Sequence, residues 1–245
     1  MIYAVVTGKG GAGKTTTAAA LAQAAAHRGK KALAIDLDPQ GNLTYCTEAD
    51  ASQPGSYDLL HGAAAADVIQ HTTQDIDVIA ASADLQTETS SKGSARRLQK
   101  ALQPIKDKYD LIIIDVPPTG GELQFNALMA ADRLLIPLQA DAYNLQSLQQ
   151  ITEAAQEIAG SNELLKIAGI IITQYDQRPI INRQLRAKLT EAAAEQGIPF
   201  LGAVRKGVVV QEAAALQLSL FEYAPRSKPA KDYLQIYNRI MKLEG

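Results

Sequence analysis

The stretch Gly8-Lys9-Gly10-Gly11-Ala12-Gly13-Lys14-Thr15-Thr16 follows the apolar run Ile2–Thr7 and opens an alanine-rich segment, Thr15–Arg28. Its first eight residues satisfy the phosphate-loop pattern G-x-x-x-x-G-K-[ST], placed between a strand-like run and a helix-like one. Glycines let backbone N–H groups turn inward around phosphate oxygens, and the helix N-terminus adds its partial positive charge. Residues 8–16 are therefore expected to cradle a nucleotide. Lys14 would reach its β- and γ-phosphates, and the Thr15 hydroxyl would bind Mg²⁺.

Outward from this loop, strand-length apolar runs alternate with segments wide enough for helices. Ile2–Thr7, Lys31–Asp36, Asp77–Ala81, Leu111–Asp115, Arg133–Pro137, Ile167–Thr173 and Phe200–Val204 read as strands. Between and after them, Thr15–Arg28, Ser94–Gln103, Leu123–Ala131, Leu145–Ala159, Ile181–Gln196, Val208–Gln217 and Ala230–Leu243 read as helices. Runs such as Leu111-Ile112-Ile113-Ile114 are too continuous for a half-exposed strand and suit a parallel sheet covered on both faces. The expectation is a doubly wound, mostly parallel α/β sheet with helices on both faces, in one unit over 1–245. The least regular stretch, Gly41–Ser94, contains the turn signal Gln53-Pro54-Gly55 and the run Ala63–Ala66. It reads as a mobile insertion after the second strand, with a short helix at the alanines.

Composition narrows the function. An apolar fraction of 47% over 245 residues excludes wholesale disorder. A net charge of −2 excludes nucleic-acid binding through global charge alone, yet residues 1–160 carry −6 and residues 161–245 carry +4. Cys46 is the single cysteine, so no intrachain disulfide or multi-cysteine metal site forms. No apolar run approaches the ~20 residues that span a bilayer, and the N-terminus enters its first apolar run without a basic leader. The expected location is cytoplasmic.

Carboxylates close two of the strands. Asp36-Leu37-Asp38-Pro39-Gln40-Gly41-Asn42 sets two acids at i and i+2, pointing to the same side of a strand end. Alone, such a pair also fits a plain strand-end turn. Asp115-Val116-Pro117-Pro118-Thr119-Gly120-Gly121 ends a buried strand in one acid, an arrangement common in α/β proteins.

Taken with the loop, these segments resemble the ParA/MinD ATPases, whose deviant Walker loop carries an early lysine as in Lys9-Gly10-Gly11-Ala12-Gly13-Lys14-Thr15. The resemblance implies ATP with Mg²⁺ and a nucleotide-sandwich homodimer in which Lys9 reaches the partner's phosphates, as an arginine finger does. It implies that Asp38 orients the attacking water, that Asp36 supports it, and that Thr15, Asp38 and Asp115 serve the Mg²⁺ shell, the acids through water. Ile136–Leu145 is similar to the stretch after switch II in partition ATPases, and Ile171–Asp176 stands at the adenine-side loop. Glu212-Ala213 and Tyr223–Lys228 resemble the ParA C-terminal region, so the likeness runs through the whole chain. Gln174 and Arg205 fall near the expected adenine pocket. There the chain departs from the family, with Thr173-Gln174 where Asn is usual, and Arg205-Lys206 where a Pro-Arg pair is usual.

Within the family, one cysteine excludes the nitrogenase iron protein, which needs two per subunit for its shared cluster, and one phosphate loop argues against the duplicated arsenite-pump ATPases. The tail Lys231–Leu243 has an apolar stripe with few charges, which reads as a packed last helix rather than a MinD-type membrane anchor. An ATP-dependent ligase of the amidase/dethiobiotin group would need a substrate pocket that the sequence does not identify. The resemblance to small ParA proteins implies a partition switch: the ATP dimer binds DNA nonspecifically, associates with the nucleoid, and is released by hydrolysis that a ParB-like partner stimulates. The DNA candidates are Arg178, Arg183, Arg186, Lys188, Arg205, Lys206, Arg226, Lys228 and Lys231, with Lys92, Arg96, Arg97 and Lys100 as a second basic set.

Overall fold

Alternate residues of the central strands feed two cores. Ile2, Ala4 and Val6, Leu33 and Ile35, and Ile112 and Ile114 face one side of the sheet; Tyr3 and Val5, Ala32 and Ala34, and Leu111 and Ile113 face the other. Both faces are covered, which is why these strands read as unbroken apolar runs. The computed structural model describes residues 1–88, 94–118, 120–141 and 144–243. Lys92, Thr119, Ala142 and Tyr143, each part of a segment singled out above, lie outside the described residues.

The strands are β1 (Ile2–Val5), β2 (Ala32–Asp36), β3 (Ile69–His71), β4 (Asp77–Ile79), β5 (Leu111–Asp115), β6 (Arg133–Gln139), β7 (Lys166–Tyr175) and β8 (Phe200–Arg205). They form one sheet in the order β3-β4-β2-β5-β1-β6-β7-β8, parallel throughout except for β3, which runs antiparallel to β4. The helices are α1 (Lys14–His27), α2 (Asn42–Cys46), α3 (Ser56–Leu60), α4 (Ala65–Val68), α5 (Arg97–Leu102), α6 (Glu122–Ala130), α7 (Asn144–Ala159), α8 (Ile180–Glu195), α9 (Val209–Ala215), α10 (Leu220–Tyr223) and α11 (Lys228–Lys242). Helices α1, α2 and α9 to α11 bury apolar residues in one core; α3 to α8 do so in the other. The doubly wound expectation holds. All seven expected strands are present, and β3 is an eighth.

The stretch read as an insertion is built into the sheet and the core. Residues 41–88 carry α2, α3, α4, β3 and β4, and they bury Leu43, Leu59, Leu60, Val68, Ile76, Val78 and Ile79. Apolar residues spaced through short elements reach the core even though no single run is long enough to announce them. The segment also closes the sheet edge, with β4 paired to β2. Helix α11 packs Tyr233, Ile236, Tyr237 and Ile240 into the core, as expected of a packed last helix. Among the described residues no helix is long and apolar enough to cross a membrane.

Candidate active site

The loops after β1, β2, β5, β6 and β7 converge at the C-terminal ends of the strands, around the point where the chain order reverses beside β1. After β1 the chain turns through Gly11 (φ 74°) and Gly13 (φ 85°), left-handed backbone that glycine adopts without strain. Gly13 caps α1 without a side-chain hydrogen bond, which leaves the first N–H groups of the helix available to an anion. A Cβ on Gly13 would also stand 3.4 Å from Thr173 Cγ2.

Three side chains from distant strands brace the loop. Thr173 Oγ1 donates to Ala12 O at 2.7 Å, and the amides of Gln139 and Gln174 donate to Gly11 O at 2.8 and 3.0 Å. Gln174 itself lies at φ 51°, an unusual conformation for a residue with a Cβ. Asparagine tolerates this region better, which gives the departure at this position a physical meaning. The roles of Gln139 and Thr173 in the brace were not legible in sequence, since 128 and 161 residues separate donor from acceptor.

Below the loop lies a buried pair of acids. Asp36 and Asp115 are register partners on β2 and β5, and neither is exposed. Asp115 Oδ2 accepts from Thr15 Oγ1 at 2.6 Å, while Oδ1 has no hydrogen-bond partner among the described residues. Burial, and then the neighbouring Asp36, hold the Asp115 carboxyl well above the usual carboxylate range. A buried carboxylate oxygen without a donor, next to a threonine hydroxyl, fits a site completed by a divalent cation and its waters. Lys14 is 7% exposed; burial lowers its pKa, while Asp115 and Asp38 oppose the shift.

Asp36 faces inward. Its carboxylate accepts from Asp38 N at 3.0 Å and from both N and Oγ1 of Thr44 at 2.8 Å, fixing the turn into α2. Burial raises its pKa, against these hydrogen bonds. Asp38, two residues on, points into the open space above the loop, and its Oδ1 accepts from Gln40 N at 3.0 Å. The paired acids therefore separate: one anchors a turn, the other faces the cavity.

That cavity, of about 520 Å³, is lined by Gly10, Gly11, Gly13, Lys14, Thr15, Thr16, Asp38 and Gln174, and also by Gln40, Asn42 and Pro118, which were not among the expected site residues. It continues between α1, α2 and α9 along Ala19, Cys46 and Ala213. A smaller one, of about 130 Å³, lies beside it between Gln174 and the segment Arg205–Val208, with Tyr233 at its base. Gly8 and Ala12 shape the loop without lining either space. Arg205 is held by Asp232, which accepts from its backbone N, Nε and Nη2 at 2.9, 2.8 and 2.6 Å. Lys9 lies outside the cavity, its Nζ 2.6 Å from Asp141 Oδ2.

A chromosome-partitioning ATPase, Soj of Thermus thermophilus, is 34% identical over 97% of this chain and 94% of its own length. The chain belongs to the Soj/ParA family of partitioning ATPases. An AAA-domain family model matches residues 1–167. Among solved structures, cobyrinic acid a,c-diamide synthase of Mycobacterium smegmatis with a bound ATP analogue and magnesium aligns at TM-score 0.82, with 26% identity over 97% of this chain and 92% of that one. The septum site-determining protein MinD of Pyrococcus horikoshii with Mg-ADP aligns at TM-score 0.83, with 25% identity over 100% and 97% of the two chains. As a member of this family the chain is an ATPase that works with ATP and Mg²⁺.

The expected basic set proves uneven. Arg178 is paired in fork geometry with Asp176, and Arg183 donates to the carbonyls of Gln177 and Arg178. The Arg186 guanidinium lies over the rings of Tyr175 and Phe200. Lys188, Lys206, Arg226, Lys228 and Lys231 are exposed. In the second set, Arg96 donates to Ser161 O, Arg97 pairs with Glu88, and Lys100 is exposed.

Proposed function

We propose that the protein is a partition switch whose ATP-bound homodimer binds DNA without sequence preference and lets go when ATP is hydrolysed. The observation that carries this reading is a second loop lysine, Lys9, held outside a cavity that Lys14, Thr15 and Asp38 line. Thr15 Oγ1 and, through water, Asp115 and Asp38 hold the metal, which when bound neutralises phosphate charge. Lys14 and the backbone N–H groups of residues 10–15 hold the β- and γ-phosphates. Asp38 orients the attacking water, and Asp36 fixes Asp38 by accepting its N–H. Lys9 exchanges Asp141 for the phosphates of the partner subunit, so a complete site exists only across two chains.

Such a division of parts gives slow turnover in isolation, and it leaves room for a centromere-bound, ParB-like protein to stimulate hydrolysis by fixing the switch loops. The net +4 of residues 161–245 supports a DNA surface in the C-terminal third, which dimerisation would double. Burial of the α11 stripe argues against membrane docking through that helix. Cosedimentation with mixed-sequence duplex and with anionic vesicles, each with and without ATP and Mg²⁺, tests the reading. ATP-dependent pelleting with duplex alone is expected; pelleting with vesicles alone would hand the function to a membrane-positioning ATPase.

A further inference from the structure

At the far side of the sheet from the insertion, β8 is the last strand, and one cleft of about 280 Å³ runs along it between α8 and α11. Three guanidinium groups line it: Arg186 from α8, Arg205 from β8 and Arg239 from α11. The only acid lining it is Asp232, and both of its oxygens are taken by Arg205. Arg186 rests 5.3 Å from the Tyr175 ring centroid and 5.2 Å from that of Phe200, and no carboxylate pairs with it among the described residues. Arg239 gives one N–H to Leu201 O at 2.6 Å, and the rest of its fork has no acceptor among the described residues.

A guanidinium carries five N–H donors and no acceptor. The charged acceptor of the cleft is used up, whereas Arg186 and Arg239 still have donors to give, and the charged lining sums to +2 from three arginines and one aspartate. Two aromatic rings attract the Arg186 guanidinium to the wall of the cleft, and none of its N–H groups is taken by a protein acceptor among the described residues. We propose that this cleft at the outer edge of β8 is a phosphate-group site, formed chiefly by Arg186 and Arg239 with Arg205 as the fixed third charge. The phosphate comes either from the backbone of a nucleic acid or from a free polyphosphate anion. The nucleic-acid source rests on the DNA-binding reading above; the site itself does not.

The test uses the full chain with its phosphate loop filled by a non-hydrolysable ATP analogue and Mg²⁺, so that added phosphate meets only other sites. Tripolyphosphate is titrated by calorimetry, and mixed-sequence duplex by anisotropy over a range of salt. In Arg186→Gln/Arg239→Gln, tripolyphosphate affinity should fall about tenfold per arginine, with the bound nucleotide retained. If the source is nucleic acid, duplex affinity falls as well and the log–log salt slope flattens by about 0.9 for each phosphate that the variant no longer neutralises. A fall for tripolyphosphate alone assigns the site to a free anion. Unchanged binding of both probes, in a variant of parental melting temperature, overturns the site and leaves ATP-dependent DNA binding standing. Wild type that ignores duplex yet binds tripolyphosphate through these arginines keeps the site and removes the DNA reading. Should the double variant melt early, Arg186→Gln alone carries the test, because its side chain donates to no protein acceptor among the described residues.

Discussion

Replacing Asp36 with alanine should cost stability first and catalysis second, and Asp38→Ala should do the reverse. Asp36 accepts from Asp38 N, Thr44 N and Thr44 Oγ1, and its removal leaves three buried donors without their acceptor. Each such donor costs about 1–3 kcal/mol. Relief from burying a carboxylate, whose raised pKa records the cost of holding it ionised, returns part of that. A net loss of about 2–5 kcal/mol follows, or roughly 5–15 °C in melting temperature for a chain of this size. Asp38 gives up one bond, from Gln40 N at the edge of the cavity, so Asp38→Ala should cost about 1 kcal/mol or less. Urea denaturation of the nucleotide-free proteins measures the first effect, and steady-state phosphate release measures the second. Asp38→Ala should bind ATP and scarcely hydrolyse it. Asp36→Ala should keep measurable turnover below its melting temperature, with a lowered kcat because the turn that aims Asp38 has lost its anchor. Asp36→Asn, which keeps one acceptor oxygen, should recover part of the stability. An Asp36→Ala protein as stable as wild type would refute the assignment of Asp36 as an anchor.

Lys14→Ala should lose ATP binding by at least about a hundredfold, since a nearly buried ammonium is removed from the β/γ-phosphate position; a fluorescent ATP analogue measures this, and unchanged affinity would remove the phosphate-loop assignment. Lys9→Ala should bind ATP as a monomer and fail to form the hydrolysing dimer, read by light scattering with ATP and Mg²⁺; normal dimerisation and turnover would end the idea that this lysine acts across subunits. The pH dependence of the nucleotide-free protein has a definite sign. The Asp36 carboxyl titrates at about 6 when folded, well above its ordinary range, so the folded state binds more protons than the unfolded one. Stability contributed by this group is therefore lost as pH rises from about 4 to about 6, and Asp115, also raised, acts with the same sign. Denaturation midpoints should fall between about pH 4 and about pH 6, and the fall should shrink with ATP and Mg²⁺; midpoints that climb over that interval in the free protein would show the acids to be compensated.

What could be read from the chain was whatever concentrates its signal locally. Leu111–Ile114 declares a two-sided strand by itself, and residues 8–15 carry glycines, lysine and threonine at the spacing that phosphate chemistry requires. Strand β3 could not be read, because Ile69-Gln70-His71 has neither length nor alternation and exists by pairing with β4. The resemblance separates the roles of Asp36 and Asp38, but their spacing alone does not. A pair at i and i+2 shares a side of an ideal strand, but β2 ends at Asp36 and the turn that follows sends Asp38 elsewhere. Gln139 and Thr173 brace the loop through hydrogen bonds that a linear reading has no means to connect.

The two rims of the sheet bear on how copies of this molecule can meet. At β8, α11 lays Arg239 on the carbonyl of Leu201 and Asp232 on the N–H of Arg205, so two backbone groups that a foreign strand would seek are already taken. At the opposite rim β3 is three residues long and reversed in direction. Short or plugged rims are how β-proteins forestall strand-to-strand polymerisation. Rims of this kind favour contacts between copies through helical and loop faces, which part without tearing a hydrogen-bonded ladder.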